Sequence, residues 1–135
     1  MHKKILTKND ADKLTGEHIV IPDGYTEIAE CAFGFRRDIT SITIPNSVTT
    51  IGELAFYKCK ALTSIAIPAS VTSIGRGAFN GCKALTGITI SASVTHIGNE
   101  AFFDCKSLAN ITAPDSITTL GNAAFTNGVR WLLPT

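Results

Sequence analysis

The residues in this sequence best suited to chemistry are four cysteines, and three of them are spaced at equal intervals. They are Cys31, Cys59, Cys82 and Cys105, and the last three are 23 residues apart. Thiolates bind zinc, but a structural zinc site needs four ligands and the chain has no C-x-x-C pair. We therefore predict that the three regularly spaced cysteines pack as small apolar side chains and that the protein binds no metal or cofactor. Cys31, outside this spacing, is expected to be the most reactive thiol.

A second set of residues at the same interval is cationic, and it consists of Arg37, Lys60, Lys83 and Lys106. Like charges held close together repel one another, so this column either spreads into solvent or faces an anion. Asp38 and Asp104 stand next to it and could soften the repulsion. A solvated stripe is the simpler interpretation, and an acidic protein or a sulfated or phosphorylated ligand is the alternative.

Catalysis would require groups that converge, and the sequence does not predict such a group. The three histidines, His2, His18 and His96, are far apart, and no acidic cluster of the kind used in sugar cleavage recurs. Gly75-Arg76-Gly77 lacks the Lys-Ser or Lys-Thr of a phosphate-binding loop. Asn9-Asp10-Ala11-Asp12 lacks the glycine of a calcium loop, and we expect it to begin a short helix with Asn9 as N-cap. We predict that the protein is not an enzyme.

Composition excludes some further classes of function. The chain has 135 residues, of which 44% are hydrophobic and 17% charged, and its net charge is +1. This charge gives no reason to expect a nucleic acid partner. No apolar run approaches the roughly 20 residues needed to span a bilayer, so membrane insertion is not expected. The first ten residues lack the apolar stretch of a secretory signal, which leaves the cellular location open.

The interval of 23 residues extends to most of the chain. Sliding the sequence by 23 superposes an aromatic column, an isoleucine column and a threonine column: Phe33, Phe56, Phe79, Phe102 and Phe125; Ile19, Ile42, Ile65, Ile88 and Ile111; Thr26, Thr49, Thr72, Thr95 and Thr118. A fixed period of this length indicates a solenoid, in which each unit covers the apolar face of the next. We divide the chain into a polar N-terminal cap (1–15), five repeats (16–38, 39–61, 62–84, 85–107, 108–130), and a partial sixth repeat or C-terminal cap (131–135).

The unit 62–84 shows how one repeat is expected to fold. Ile65 and Ile67 alternate with smaller residues, which is typical of a short half-buried strand that Pro68 ends. Val71 to Ile74 is a second extended piece, after which Gly75 turns the chain. Gly77 to Cys82 spaces its apolar residues as a single helical turn would.

The repeat resembles the BspA-like leucine-rich repeats. The shared pattern is L-x-x-I-x-I-P-x-S-V-x-x-I-G-x-x-A-F-x-x-C, which residues 42–59, 62–82 and 85–105 match closely; Arg36 and Gly128 replace its cysteine, and Ser91 replaces its proline. We therefore predict an α/β-type solenoid: a right-handed leucine-rich-repeat superhelix with a parallel sheet of short strands and short helical or 3-10 turns on the opposite side. The resemblance also implies a protein-binding or adhesive role at the cell surface or outside the cell.

Two surfaces are candidates for binding a partner protein. The outward strand positions should form a small, polar face, and the column after the phenylalanines offers two exposed rings. The candidate partner-binding residues are Ser41, Thr43, Ser64, Ala66, Thr89, Asn110, Thr112, Tyr57 and Phe103. The rings could equally pack down onto the coil. At the C-terminal end, Trp131, Leu132 and Leu133 either fold back as a cap or mediate end-to-end self-association.

Overall fold

Each repeat winds into one coil with a strand of three residues, a strand of two residues and a segment of turns. The computed structural model describes residues 3–108, 110–112, 114–125 and 130–132. The three-residue strands of successive coils pair in parallel, in the order β12-β10-β8-β6-β4-β2. We call this the wide sheet, and its strands are β2 (His18–Val20), β4 (Ser41–Thr43), β6 (Ser64–Ala66), β8 (Gly87–Thr89), β10 (Asn110–Thr112) and β12 (Arg130–Leu132).

The two-residue strands form a second parallel sheet, which the sequence had shown only as a second extended piece. We call it the narrow sheet, and its order is β1-β3-β5-β7-β9-β11. Its strands are β1 (Ile5–Leu6), β3 (Glu27–Ile28), β5 (Thr50–Ile51), β7 (Ser73–Ile74), β9 (His96–Ile97) and β11 (Thr119–Leu120). The predicted parallel stacking is therefore confirmed, although two sheets carry it.

Residues 23 positions apart lie directly above one another, as the period predicts. Ser41, Ile42 and Thr43 pair with Ser64, Ile65 and Ala66, and the same register continues along both sheets. In the core, the five phenylalanine rings form a stack with centroids 5.1–5.5 Å apart and planes within 8° of parallel. Burying each such ring contributes about 1.5–3 kcal/mol, so the core column is a main source of stability.

The threonine column is explained by hydrogen bonds between coils. The Thr49, Thr72, Thr95 and Thr118 hydroxyls each donate to the carbonyl oxygen of the threonine one coil earlier, at 3.2–3.4 Å. The backbone N–H of each donates to the same oxygen, at 2.8–2.9 Å. A β-branched hydroxyl residue fits this extended position and uses both of its donors there.

The side opposite the wide sheet consists of turns, so the expected helical or 3-10 segments are not confirmed in the described residues. We call residues 29–36 and their equivalents in later coils the turn side. Along it, alternate N–H groups donate three residues back, as from Asn80 to Gly77, while the others donate to the next coil, as from Phe79 to Ala101. Two residues per coil have left-handed backbone angles, for example Gly77 (φ 59°) and Gly81 (φ 79°). Such residues interrupt a right-handed helix.

The glycine column has a different cause from the turn that the sequence suggested. A Cβ on Gly75 would lie 2.7 Å from the backbone nitrogen of Glu53, and a Cβ on Gly98 would lie 2.5 Å from that of Arg76. Neither glycine has a left-handed φ. The coils therefore approach so closely at this corner that only a residue without a side chain fits.

The first fifteen residues contribute one strand and the only helix found in the described residues, α1 (Lys8–Asp12). Strand β1 continues the narrow sheet by pairing with β3. Thr7, rather than Asn9 as expected, is the N-cap, because its hydroxyl accepts from the N–H of Asp10 while the Asp10 carboxylate accepts from the N–H of Thr7. Arg36 ties this segment to the first coil by donating to the carbonyls of Ala11 and Leu14. The division into cap, five repeats and partial sixth remains a prediction.

Candidate functional site

The three regularly spaced cysteines are buried in the core beside the phenylalanine stack. Each Sγ donates to the carbonyl oxygen of a phenylalanine 26 residues earlier, at 3.1 Å. Burial raises the pKa of Cys59 and of Cys105 to about 12, and it raises the pKa of Cys82 as well. These groups are therefore protonated thiols near neutral pH and not the thiolates that bind metals. Among the described residues there is no group of three or more metal-ligating side chains.

Cys31 lies apart from this column, in the left-handed position of the turn side. It is half-buried, with φ 60°, and residues Leu54, Gly77, Glu100 and Ala123 occupy the same place in later coils. A thiol is thus one of several side chains that this position accepts. Its higher reactivity stays a prediction.

The cationic residues Arg37, Lys60, Lys83 and Lys106 form an exposed row on consecutive coils, which we call the cationic stripe. The ammonium of Lys83 approaches Asp104 at 4.0 Å, a contact at the limit of an ion pair. Asp38, which the sequence placed beside the stripe, instead pairs with Arg36 at 3.0 Å. The pKa of Lys60 is lowered, first by the charge of Arg37. The repulsion expected from the spacing is therefore present in the folded chain.

The outward face of the wide sheet is polar, with small side chains and one gap. Thr43, Ser64, Ala66 and Thr89 are exposed and Ser41 is half-buried, bonded to His18 at 2.7 Å. At Gly87 the outward column has no side chain, and a Cβ there would meet no atom within 4 Å. The gap is a shallow groove of about 520 Å³ lined by Ile65, Ala66, Ile67, Gly87, Ile88, Thr89 and Ser91. The side chains of Asn110 and Thr112 lie outside what the structure describes.

The two candidate rings behave differently. Phe103 is 42% exposed. Tyr57 is half-buried and meets the ring of Phe35 edge to face, with centroids 5.3 Å apart. The ammonium of Lys58 lies 5.9 Å from the Phe35 centroid and 5.3 Å from that of Tyr57. We call Phe35, Tyr57 and Lys58 the aromatic cluster.

Sequence reasoning singled out Tyr57 but not the cluster, because Phe35 and Lys58 belong to a column that also contains Gly81 and Asp104. The same reasoning missed a second groove, of about 340 Å³, on the turn side. It is lined by Glu53, Leu54, Tyr57, Arg76, Gly77, Asn80 and Glu100. The only advance signal of either feature was the variability of these columns from coil to coil.

At the C-terminal end, the backbone of β12 extends the wide sheet. Trp131 pairs with Ile111 and Leu132 with Thr112, while Leu133 lies outside the described residues. The core column that holds Ile28, Ile51, Ile74 and Ile97 ends in Leu120, which is 50% exposed. The structure thus exposes apolar surface at this end, whereas the roles of Trp131, Leu132 and Leu133 stay predictions.

Comparison with solved structures places the coil among bacterial leucine-rich repeat proteins. A leucine-rich repeat protein from Bacteroides ovatus is 35% identical, with a TM-score of 0.80 over 87% of this chain and 33% of its own. The leucine-rich repeat protein of T. pallidum is 33% identical (TM-score 0.81; 84% and 55%). A leucine rich cell surface protein from Faecalibacterium prausnitzii is 31% identical (TM-score 0.83; 88% and 32%).

The chain spans between about a third and about half of the length of these three relatives. A search of curated proteins finds no match. Within the described residues, no helix is long and apolar enough to cross a membrane.

The repeat itself is matched by a family model. The model, described as the BspA type leucine rich repeat region, matches residues 11–129 in six copies. That range contains both sheets' central strands, the phenylalanine stack and the cationic stripe. The chain therefore belongs to the BspA-type leucine-rich-repeat family.

Proposed function

We propose that the protein is a non-enzymatic recognition module that binds another protein through the outward face of the wide sheet. The groove at Gly87 carries this proposal. It lies at the middle of a face otherwise covered by small side chains, and Ile65 and Ile88 form its apolar floor. A partner surface could approach the sheet closely and insert one large apolar side chain there.

The energetics of protein interfaces favour this arrangement. Binding energy in most interfaces is concentrated in a few anchors that enter well-packed pockets, surrounded by contacts that exclude water. The face itself has small residues and no large anchor of its own, so the anchor is expected on the partner. Thr43, Ser64 and Thr89 would then supply the surrounding polar contacts.

A substitution at Gly87 tests the proposal without disturbing the fold. Gly87→Arg fills the groove, and it should fold normally because a Cβ meets nothing within 4 Å and the backbone is an ordinary strand. His96→Arg is the matched control, since it adds the same side chain to the exposed strand β9 of the narrow sheet in the same repeat.

The assay is capture from host and bacterial surface extracts, followed by affinity measurement with each captured protein after purification. We expect a partner whose affinity falls at least about tenfold with Gly87→Arg, as for loss of a central anchor, and is unchanged by His96→Arg. Partners that bind Gly87→Arg as tightly as the wild type would refute the proposed face. The proposed location is the cell surface or the exterior of the cell, as the printed name of the F. prausnitzii relative suggests.

A second candidate function, self-association through the solenoid ends, is favoured by the exposure of Leu120. Its equivalents in the four preceding coils are at most 1% exposed. An unpaired strand edge next to exposed core surface is a template for pairing with another chain. Light scattering at increasing concentration should give a rising mass for the wild type and a constant monomer mass for Leu120→Ser and Trp131→Ser. A wild type that stays monomeric would exclude this function.

A further inference from the structure

We propose that the cationic stripe and the aromatic cluster together form a second binding site, which takes a linear sulfated polysaccharide. This site is separate from the proposed protein-binding face of the wide sheet. The inference does not depend on that face being used.

The geometry of the stripe suits a linear polymer with repeated anionic groups. Its four cations stand on four consecutive coils, each about 4.8 Å from the next, so its ends are about 14 Å apart. All four residues are exposed. Within the described part of the chain, the single ion pair of the stripe is the 4.0 Å contact between Lys83 and Asp104. The other three charges are therefore available to a ligand.

The distribution of charge concentrates positive potential on this edge. The whole chain has a net charge of +1, while the stripe alone contributes four positive charges. The remainder of the molecule is therefore net negative by three, so an anionic polymer would be attracted to this edge more than to other surfaces. The charges of Arg37, Lys83 and Lys58 all lower the pKa of Lys60. An anion lying along the stripe would relieve this repulsion.

The aromatic cluster points to a sugar as the carrier of the anionic groups. Phe35 is 63% exposed and stands two residues from Arg37, while Lys58 stands two residues from Lys60. An exposed phenyl face supplies apolar contact for the C–H groups of a sugar ring, and the neighbouring cations pair with its sulfates. A strongly solvated Phe beside cations has no packing role that would explain it.

A polysaccharide explains this surface better than an acidic protein does. Protein interfaces have an apolar core ringed by polar residues. The stripe is one residue wide, and apolar surface lies only at its Phe35 end. A flexible linear polyanion needs no such core, because repeated ion pairs along its length provide the affinity.

The test uses heparin as the probe, with chemically desulfated heparin and polyglutamate for comparison. The Lys60→Gln/Lys83→Gln double variant removes the middle of the stripe, and Lys8→Gln/Lys13→Gln removes the same charge from the N-terminal segment. Both pairs are exposed, so thermal unfolding should match the wild type. Each stripe lysine should contribute about a fivefold change in affinity, so the double variant should bind heparin about 25-fold more weakly. The control should bind as the wild type does.

Three further measurements complete the test. Phe35→Asn, a residue that tolerates the left-handed backbone at this position, should weaken heparin binding while leaving its salt dependence unchanged. Desulfated heparin should bind poorly, and Gly87→Arg should bind heparin normally. Equal binding of polyglutamate and heparin, equal losses in the two double variants, or no loss in the stripe variant would each overturn the proposal.

Discussion

The substitution Gly75→Ala should disrupt the stacking of two coils although it adds a single methyl group. The Cβ would lie 2.7 Å from the nitrogen of Glu53, 2.8 Å from the carbonyl carbon of Gly52 and 3.0 Å from the Cα of Glu53. All three are backbone atoms of the preceding coil. Because carbon atoms in contact are normally about 3.5–4.0 Å apart, the coils would have to separate by about 0.7 Å.

That separation has a cost that can be worked out from the hydrogen bonds at the same corner. The N–H of Gly75 donates to the carbonyl of Ile51 at 2.8 Å. A shift of about 0.7 Å would lengthen this bond to about 3.5 Å, where little of it remains. Overpacking costs about 1–3 kcal/mol and a weakened hydrogen bond about 1 kcal/mol, so the free energy of unfolding should fall by about 2–4 kcal/mol.

Urea denaturation followed by circular dichroism measures this difference, and Gly87→Ala provides the matched control. The latter adds the same methyl group in an open strand position, where replacing glycine should raise the free energy of unfolding by about 0.5–1 kcal/mol. A loss below about 0.5 kcal/mol for Gly75→Ala would refute the close-approach explanation, since that is the effect of an ordinary surface substitution. So would equal losses in the two variants.

Three other predictions follow from the coil. Phe79→Ala removes the middle ring of the buried stack and should lower the free energy of unfolding by about 3–5 kcal/mol in urea denaturation; a loss under about 1 kcal/mol would contradict the role of the stack. Glu100→Gly should raise it by about 1 kcal/mol, because Glu100 holds φ 58° where glycine is unstrained; no gain would mean that this backbone angle is not costly. With a thiol reagent at mildly alkaline pH, Cys31 should react first and the three buried thiols only after unfolding; simultaneous reaction of all four would contradict their burial. Because burial raises the folded-state pKa of those thiols above the reference value of 9.0, stability should be intact below about pH 9 and fall as pH rises towards 12, by less in a Cys105→Ala variant: Cys59, Cys82 and Cys105.

The period of 23 residues was sufficient to predict the stacking, because every core position is repeated in a column of similar residues. Phe56, Phe79 and Phe102 share one environment, as their spacing required. The turn side could not be predicted in the same way. Its left-handed positions hold glycine in one coil but Leu54 and Glu100 in others, and apolar spacing alone cannot distinguish successive turns from a helical turn.

The candidate site was less predictable than the fold for a related physical reason. Core positions are constrained by neighbours above and below, whereas surface positions such as Phe35 and Gly87 are not. The wide-sheet face followed from strand alternation, and the cationic stripe followed from the period. The groove at Gly87 and the pairing of Phe35 with Tyr57 depend on which side chain is missing or unusual in one coil. Such features become visible only when the coils are placed next to each other.

The hydrogen bonds on the turn side also give the molecule an electrical polarity along its length. In the described residues, every bond between coils on that side runs from an N–H to a carbonyl of the following coil, as from Cys31 to Glu53 and from Glu100 to Asn122. Each peptide unit carries a dipole of about 3.5 D, and these are aligned with the positive pole towards the C-terminus, the reverse of an α-helix. Strand dipoles in the two sheets largely cancel, so the turn side dominates the axial field. Whatever extends the solenoid must therefore offer carbonyl oxygens to its last coil and N–H groups to its first, which permits growth in one orientation.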